Sequence, residues 1–387
     1  MWASHRAFRR MVTGRNAAWY MLTMVIAFAI TVVGTRLYLD LTGYPQLGNS
    51  TFHFAHALWG GLLQVIAAVL MLIYLNEWVF SLAAILAGVG IGLFIDEIGK
   101  FITQSNDYFF PLAAPIIYVA FILFVFAYLY IRRHRIDDAR ETLYGVLEDL
   151  EMLLDDNLDA KTHTSLLRRL ESATDQTQRP DLAEFAKVLL QFLKSDQVNI
   201  KPPKATLWSH FLDRLAKYEE RWLPKGVAHR LLIATLTVLG AISLFRIVVL
   251  FSLITNQKAF AYPIIAGFLE NNPLIKGLYS LNWYIVLLTV ESTIGVLYAV
   301  GVICFLGNRD RAAIQISSTA LILSLTISNT LAFYFNQFSV VLDSLLLAVI
   351  LLLLARYRAR FSQINLRPPP AFQTLKTNVE RSDEIST

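Results

Sequence analysis

Cys304 is the only cysteine in the sequence, so no intrachain disulfide can form, and a disulfide-stapled secreted scaffold is excluded. Charge is scarce as well: 34 basic and 29 acidic residues among 387 are too few to cover the surface of a soluble protein of this length. The sequence has no His-Glu-x-x-His, no Gly-x-Ser-x-Gly and no phosphate-binding Gly-Lys-Thr loop, which leaves zincin, serine-hydrolase and P-loop chemistry without support. Alternating strand patterns are missing too. The net charge of +5 comes from Lys and Arg at the ends of apolar segments, where it speaks for membrane orientation and not for a nucleic-acid partner.

What the chain does have is apolar length. It is 56% hydrophobic with a mean hydropathy of +0.50. Eight apolar runs near 17–39, 56–75, 79–96, 112–131, 229–255, 281–305, 313–334 and 339–355 approach the roughly 20 helical residues needed to cross a hydrocarbon core of about 30 Å. Backbone exposed to lipid must satisfy its own hydrogen bonds, so the expected fold class is all-α, a polytopic helical membrane protein. Arginines before the first run (Arg6, Arg9, Arg10, Arg15), after the fourth (Arg132, Arg133, Arg135), between the sixth and seventh (Arg309, Arg311) and after the eighth (Arg356, Arg358, Arg360) all fall on one side. The positive-inside rule makes that side cytoplasmic, which puts both termini inside and the protein in the cell (inner) membrane. The first run has no small-residue cleavage site after it and reads as a retained span.

Residues 132–230 hold 17 acidic and 17 basic residues, over half of all charge, and read as a cytoplasmic helical insertion. The expected organisation is a first four-helix membrane set over 1–132, the insertion over 133–227, a second four-helix set over 228–360, and a disordered cytoplasmic tail over 361–387. Within the insertion, Leu143, Val146, Leu147, Leu150, Leu153 and Leu154 recur at helical spacing in an acidic stretch over 137–159, with further helices near 163–173, 181–195 and 205–223. The two membrane sets share landmarks. Arg36 and Arg246 sit late in the first and fifth runs, and Tyr108-Phe109 and Tyr334-Phe335 are expected to open the last helix of each set, as in an internal repeat.

Small and polar residues form stripes on the second and third spans: His53, His56, Gly60, Gln64 and Ala68 on one, and Ala84, Gly88, Gly92, Asp96 and Lys100 on the other. These are expected contact faces of a hairpin turning at Asn76-Glu77-Trp78. His56 lies 21 residues before Glu77 and Asp96 lies 19 after it, which sets both at one depth. Arg36, Asp40, His53, His56, Asp96, Glu97, Lys100 and Asp107 then form an expected outer polar cluster, although Asp96 and Lys100 also have the spacing of an ordinary i,i+4 pair. The segment Gly-Val-Gly-Ile-Gly-Leu-Phe-Ile-Asp-Glu-Ile-Gly-Lys over 88–100, followed by Asn106-Asp107-Tyr108-Phe109, resembles a stretch of uncharacterised bacterial polytopic membrane proteins. The similarity covers mainly 53–118, with 333–338 as a second point, and it implies a multi-pass membrane fold without implying an activity.

A deeper pair is expected in the second set. Arg246 and Glu291 both fall about 14 Å inside the outer ends of their helices, counted at about 1.5 Å per residue, and Ser328 and Asn329 reach the same level across the next hairpin. Such a pair serves either an ion or solute path or the register of the helices. Three functions therefore compete. The first is a transporter or sensor of a small solute or ion. The second is a membrane-embedded metal-dependent hydrolase whose zinc ligands are drawn from His53, His56, Asp96 and Glu97. The third is a scaffold that recruits a protein partner through 137–223. The first is preferred; it involves the lipid bilayer, no cofactor and no nucleic acid, while zinc belongs only to the second.

Overall fold

The computed structural model describes residues 12–42, 55–104, 107–108, 110–133, 139–177, 179–195, 198–202, 214, 223–255 and 278–361. Among these residues the regular structure is helical, and eight helices are long and apolar enough to cross a membrane, as an integral membrane protein requires. The chain divides into two compact units, Met1–Asp213 and Arg214–Thr387.

The first unit holds α1 (Ala17–Thr42), α2 (His56–Ile73), α3 (Glu77–Asp96), the short α4 (Ile98–Ile102) and α5 (Ala113–Arg133). Three alternating glycines let α3 approach a neighbour on each side. A Cβ on Gly88 would meet Ala27 Cβ at 2.8 Å and one on Gly92 would meet Thr31 Cβ at 2.9 Å, both on α1, whereas one on Gly90 would meet the Gly60 carbonyl of α2 at 2.6 Å. The Gly88–Gly92 stripe therefore faces α1 and not the hairpin partner α2, because residues two apart on a helix point to different sides. Where no hydrophobic force drives helices together in lipid, such close backbone approach supplies the van der Waals contact. The outward surface is apolar, with Leu41, Leu72 and Leu75 exposed by 75%, 86% and 84%.

The charged segment after α5 forms α6 (Ala139–Asp149), α7 (Glu151–Leu154), α8 (Ala160–Gln176) and α9 (Pro180–Leu193) around a small core of Val146, Leu158, Leu166, Leu170 and Ala186. The expected run over 137–159 is thus not one helix. It breaks after Asp149, and Asp156 takes a left-handed conformation (φ 49°) that turns the chain and carries Leu158 into this core. Asp159 caps α8 by accepting the Thr162 N–H at 2.8 Å, and this bond holds its carboxyl below the usual range. The stretch expected to be helical over 205–223 lies outside the described residues, apart from 214 and 223.

These helices seat on one end of the first unit's spans. Asp149, fully buried, is gripped by Arg15 and Arg169. The Arg15 N–H donates to Glu148 Oε2 at 2.8 Å, and Asn16 Nδ2 donates to Glu77 Oε1 at 2.8 Å. Beside these contacts, Asn76, Glu77 and Trp78 of the α2–α3 turn share a cleft of about 200 Å³ with Glu151, Met152, Asp155 and Asn157.

The second unit holds α10 (Lys225–Thr255), α11 (Leu278–Leu306), α12 (Asp310–Leu323), a π-helical turn (Ser324–Ser328), α13 (Asn329–Phe335) and α14 (Gln337–Phe361). Leu232, Leu236, Phe305, Leu321 and Leu354 form its buried centre. Here α10 packs on its sequence neighbour α11, α11 packs on α12, and α14 closes against α10 and α12. In the first unit α1 passes over α2 to pack on α3. Likeness of the two halves therefore does not extend to helix pairing. Nor do the aromatic landmarks correspond, since Tyr108 precedes α5 whereas Tyr334-Phe335 close α13 instead of opening α14.

Candidate functional site

In the first unit, the end of α3 gathers a buried ionic cluster. The helix stops at Asp96, Glu97 leaves helical geometry (φ −87°, ψ 6°), and α4 restarts at Ile98. Two carboxylates adjacent in sequence consequently serve different partners. Asp96 Oδ1 accepts from Arg36 Nε of α1 at 2.7 Å, and Asp96 Oδ2 accepts from the Tyr108 hydroxyl. Glu97 Oε2 accepts the Ala57 N–H at 2.8 Å, and Glu97 Oε1 accepts from Lys100 Nζ at 2.5 Å. The expected Asp96–Lys100 pair is therefore replaced by Glu97–Lys100, because the helical register that the i,i+4 spacing needs ends between them.

The Glu97 contact has a local cause. Ala55, which precedes α2, has no side chain able to cap that helix, so the Ala57 amide of the first turn needs an acceptor from elsewhere. A carboxylate at a helix N-terminus satisfies an amide and complements the positive end of the helix dipole. Tyr108 reaches Asp96 because residue 99 is glycine: a Cβ there would stand 2.7 Å from the carbonyls of Asp107 and Tyr108. Burial, followed by the charge of Asp96, pushes the Tyr108 phenol up, so it stays neutral and donates.

His56 faces both acids. Its Nε2 lies 3.4 Å from Asp96 Oδ2 and its Nδ1 lies 3.8 Å from Glu97 Oε2, with the ring edge-on to Tyr108 at 5.9 Å between centroids. The Nε2 is buried and makes no aligned hydrogen bond. Two carboxylates, Arg36 and Lys100 balance in formal charge, so a proton on His56 adds one positive charge within reach of both acids. Asp107 lies at the surface beside the cluster, its N–H donating to Thr103 Oγ1 at 2.8 Å. His53 and the side chain of Asp40 lie outside the described residues. Among the described residues no three of His, Cys, Asp and Glu converge as a metal ion would need.

In the second unit, Glu291 of α11 pairs with Arg246 of α10 and accepts from Ser328 Oγ at 3.2 Å. The Glu291 side chain is 11% exposed and that of Arg246 37%. Asn329 does not join them. It is the next residue along the helix, so it points about 100° away, and its Nδ2 donates to Ser344 Oγ of α14 at 2.8 Å. Ser328 belongs to the π-helical turn, whose wider winding shifts the register by part of a turn between α12 and α13. One turn earlier, Ser324 Oγ lies 2.7 Å from the Tyr298 hydroxyl.

Tyr108 was absent from the expected cluster, and Ser324, Tyr298 and Ser344 were absent from the expected pair. The first is brought in by a loop closing on Gly99. The others are visible in sequence only as polar residues in apolar runs. No family model matches this chain, and no curated protein or solved structure is similar enough to it to carry an argument.

Proposed function

We propose that this chain is a multi-pass protein of a cell (inner) membrane that moves or senses a small ion or solute, with Glu291 as its deep exchange site. In this reading four spans precede and four follow the α6–α9 helices, and both chain termini and α6–α9 face the cytoplasm. The supporting observation is the nearly buried Glu291 carboxylate on a membrane-spanning helix, held by Arg246 and by Ser328 of a π-helical turn. Ionisable groups at membrane depth are costly and mark ion paths and relays, and π turns concentrate at functional positions. Arg246 balances the carboxylate while the site is empty, and binding of a cation releases Arg246 from the pair with one positive charge to place elsewhere.

The outer cluster favours sensing as a companion role. His56 stands between Asp96 and Glu97, where gaining or losing a proton changes the charge balance of a site that fixes α1, α2 and α3 together. To test the main reading, the purified chain is reconstituted in liposomes and ion uptake is compared for wild type, Glu291→Gln and Arg246→Ala. Uptake that disappears in Glu291→Gln supports the assignment, and wild-type uptake in both variants removes the pair from the mechanism.

A further inference from the structure

The seventh span carries polar groups along its length, buried at Ser317, Ser324 and Ser328. Asp310, Ser317 and Ser324 recur every seven residues, close to two helical turns, and Ser328 follows one turn later. Ser328 meets Glu291, and Ser324 meets Tyr298. The Ser317 hydroxyl occupies the space that a Cβ on Gly301 would fill, and it is buried with no hydrogen-bond partner among the described residues. At the far end Asp310 Oδ2 accepts from the Tyr357 hydroxyl at 3.1 Å, and the same hydroxyl lies 3.1 Å from His229 Nδ1. Three helices, α10, α12 and α14, thus contribute one residue each to a chain of imidazole, phenol and carboxyl.

We infer that the species handled at Glu291 is the proton, and that His229, Tyr357 and Asp310 form the opposite end of its route. This rests on the reading of Glu291 as an ion site and names the ion. The first support is the close packing of α10 and α11 one helical turn from Glu291. One helical turn along α11, a Cβ on Gly295 would come 2.7 Å from Ser243 Cβ of α10, so these two helices touch backbone to backbone. Backbone contact at this level leaves little room for a hydrated metal ion between α10 and α11, whereas a proton needs only hydroxyls and single waters.

The second support is the far end itself. Tyr357 is 1% exposed, and the rings of Phe305 and Phe361 lie 6.2 Å and 5.4 Å from its own. Its hydroxyl accepts a proton from His229 Nδ1 while its own proton passes to Asp310 Oδ2. One N–H bond breaks, one O–H bond forms on the carboxyl, and the phenol is regenerated. The other ionisable groups in sequence beside the triad are Lys225 and Arg230 on α10, Arg309 and Arg311 on either side of Asp310, and Arg356, Arg358 and Arg360 on α14, while α11 brings the uncharged Phe305. A guanidinium does not give up its proton in a protein, so the proposed exchange runs between His229 and Asp310. From Asp310 to Ser328 the row spans about 27 Å at about 1.5 Å per residue, so the route requires waters bridging the intervals between Asp310, Ser317 and Ser324.

The test uses the full chain in potassium-loaded liposomes containing a trapped pH dye. Valinomycin imposes an inside-negative potential, and sodium uptake is measured in parallel. Wild type should acidify the interior, Glu291→Gln should not, and Tyr357→Phe and Asp310→Asn should each fall to the rate of empty liposomes while keeping the wild-type melting temperature. Tyr357→Phe preserves the ring packing, and Asp310→Asn gives an independent reading should that variant fail to fold. Glu291-dependent sodium uptake without acidification overturns the proton assignment and leaves the ion reading standing. Acidification that needs Glu291 but is unchanged in both triad variants overturns the proposed far end. If neither flux depends on Glu291, both readings fail.

Discussion

Asp96 and Glu97 show how one break in a helix assigns adjacent acids to different tasks. Asp96 is fully buried and Arg36 is 8% exposed, so removing one partner strands the other as an uncompensated charge. Arg36→Met and Asp96→Leu should each destabilise the protein by about 3–5 kcal/mol, whereas the double variant should lose clearly less than the sum, since no lone charge remains. Thermal unfolding in detergent checks this, and additive losses would mean that the two residues act separately. That His56 and Asp96 share a level could be read by counting along a hairpin, because rise per residue is a local property. That Tyr108 completes the site could not, since it depends on a loop folding back over Gly99.

Among the helices, α3 is the most constrained, with α1 on the side of Gly88 and Gly92 and α2 on the side of Gly90. A side chain on Gly88 runs into the Met24 carbonyl, which is helix backbone and has no freedom to yield, whereas Gly61 has open space around the position of an added Cβ. Gly88→Ala should therefore lower the melting temperature, and Gly61→Ala should not, since alanine favours a helix over glycine by about 1 kcal/mol. Equal effects of the two would sink the packing account. The small-residue stripes were legible in the sequence, but their partners were not: a stripe identifies a contact face without saying which helix covers it. The π turn was hidden for a similar reason. Residues 313–334 mix Ser, Thr and Asn with apolar residues along most of their length, and one local widening leaves no mark on average hydropathy.

For the chain as a whole, the eight apolar helices were legible because length and apolarity are written locally. The division into two matching sets was not, because pairing depends on contacts distant in sequence, and the two units pair their helices differently. The proposed orientation is open to direct measurement. In a Cys304→Ser background, Asp107→Cys should react with a membrane-impermeant maleimide in intact cells, while Glu184→Cys on α9 should react only after permeabilisation. The reverse pattern would turn the molecule over.

The first span is clamped at both extremities by a fully buried aspartate: Asp149 holds Arg15 just before the helix, and Asp96 holds Arg36 near its other end. The two arginines are 21 residues apart, about 32 Å at about 1.5 Å per residue. A rod anchored this way is fixed in depth at both ends. In the sensing role proposed for His56, a change of charge that freed Arg36 would have this same rod to carry it to Arg15 and α6.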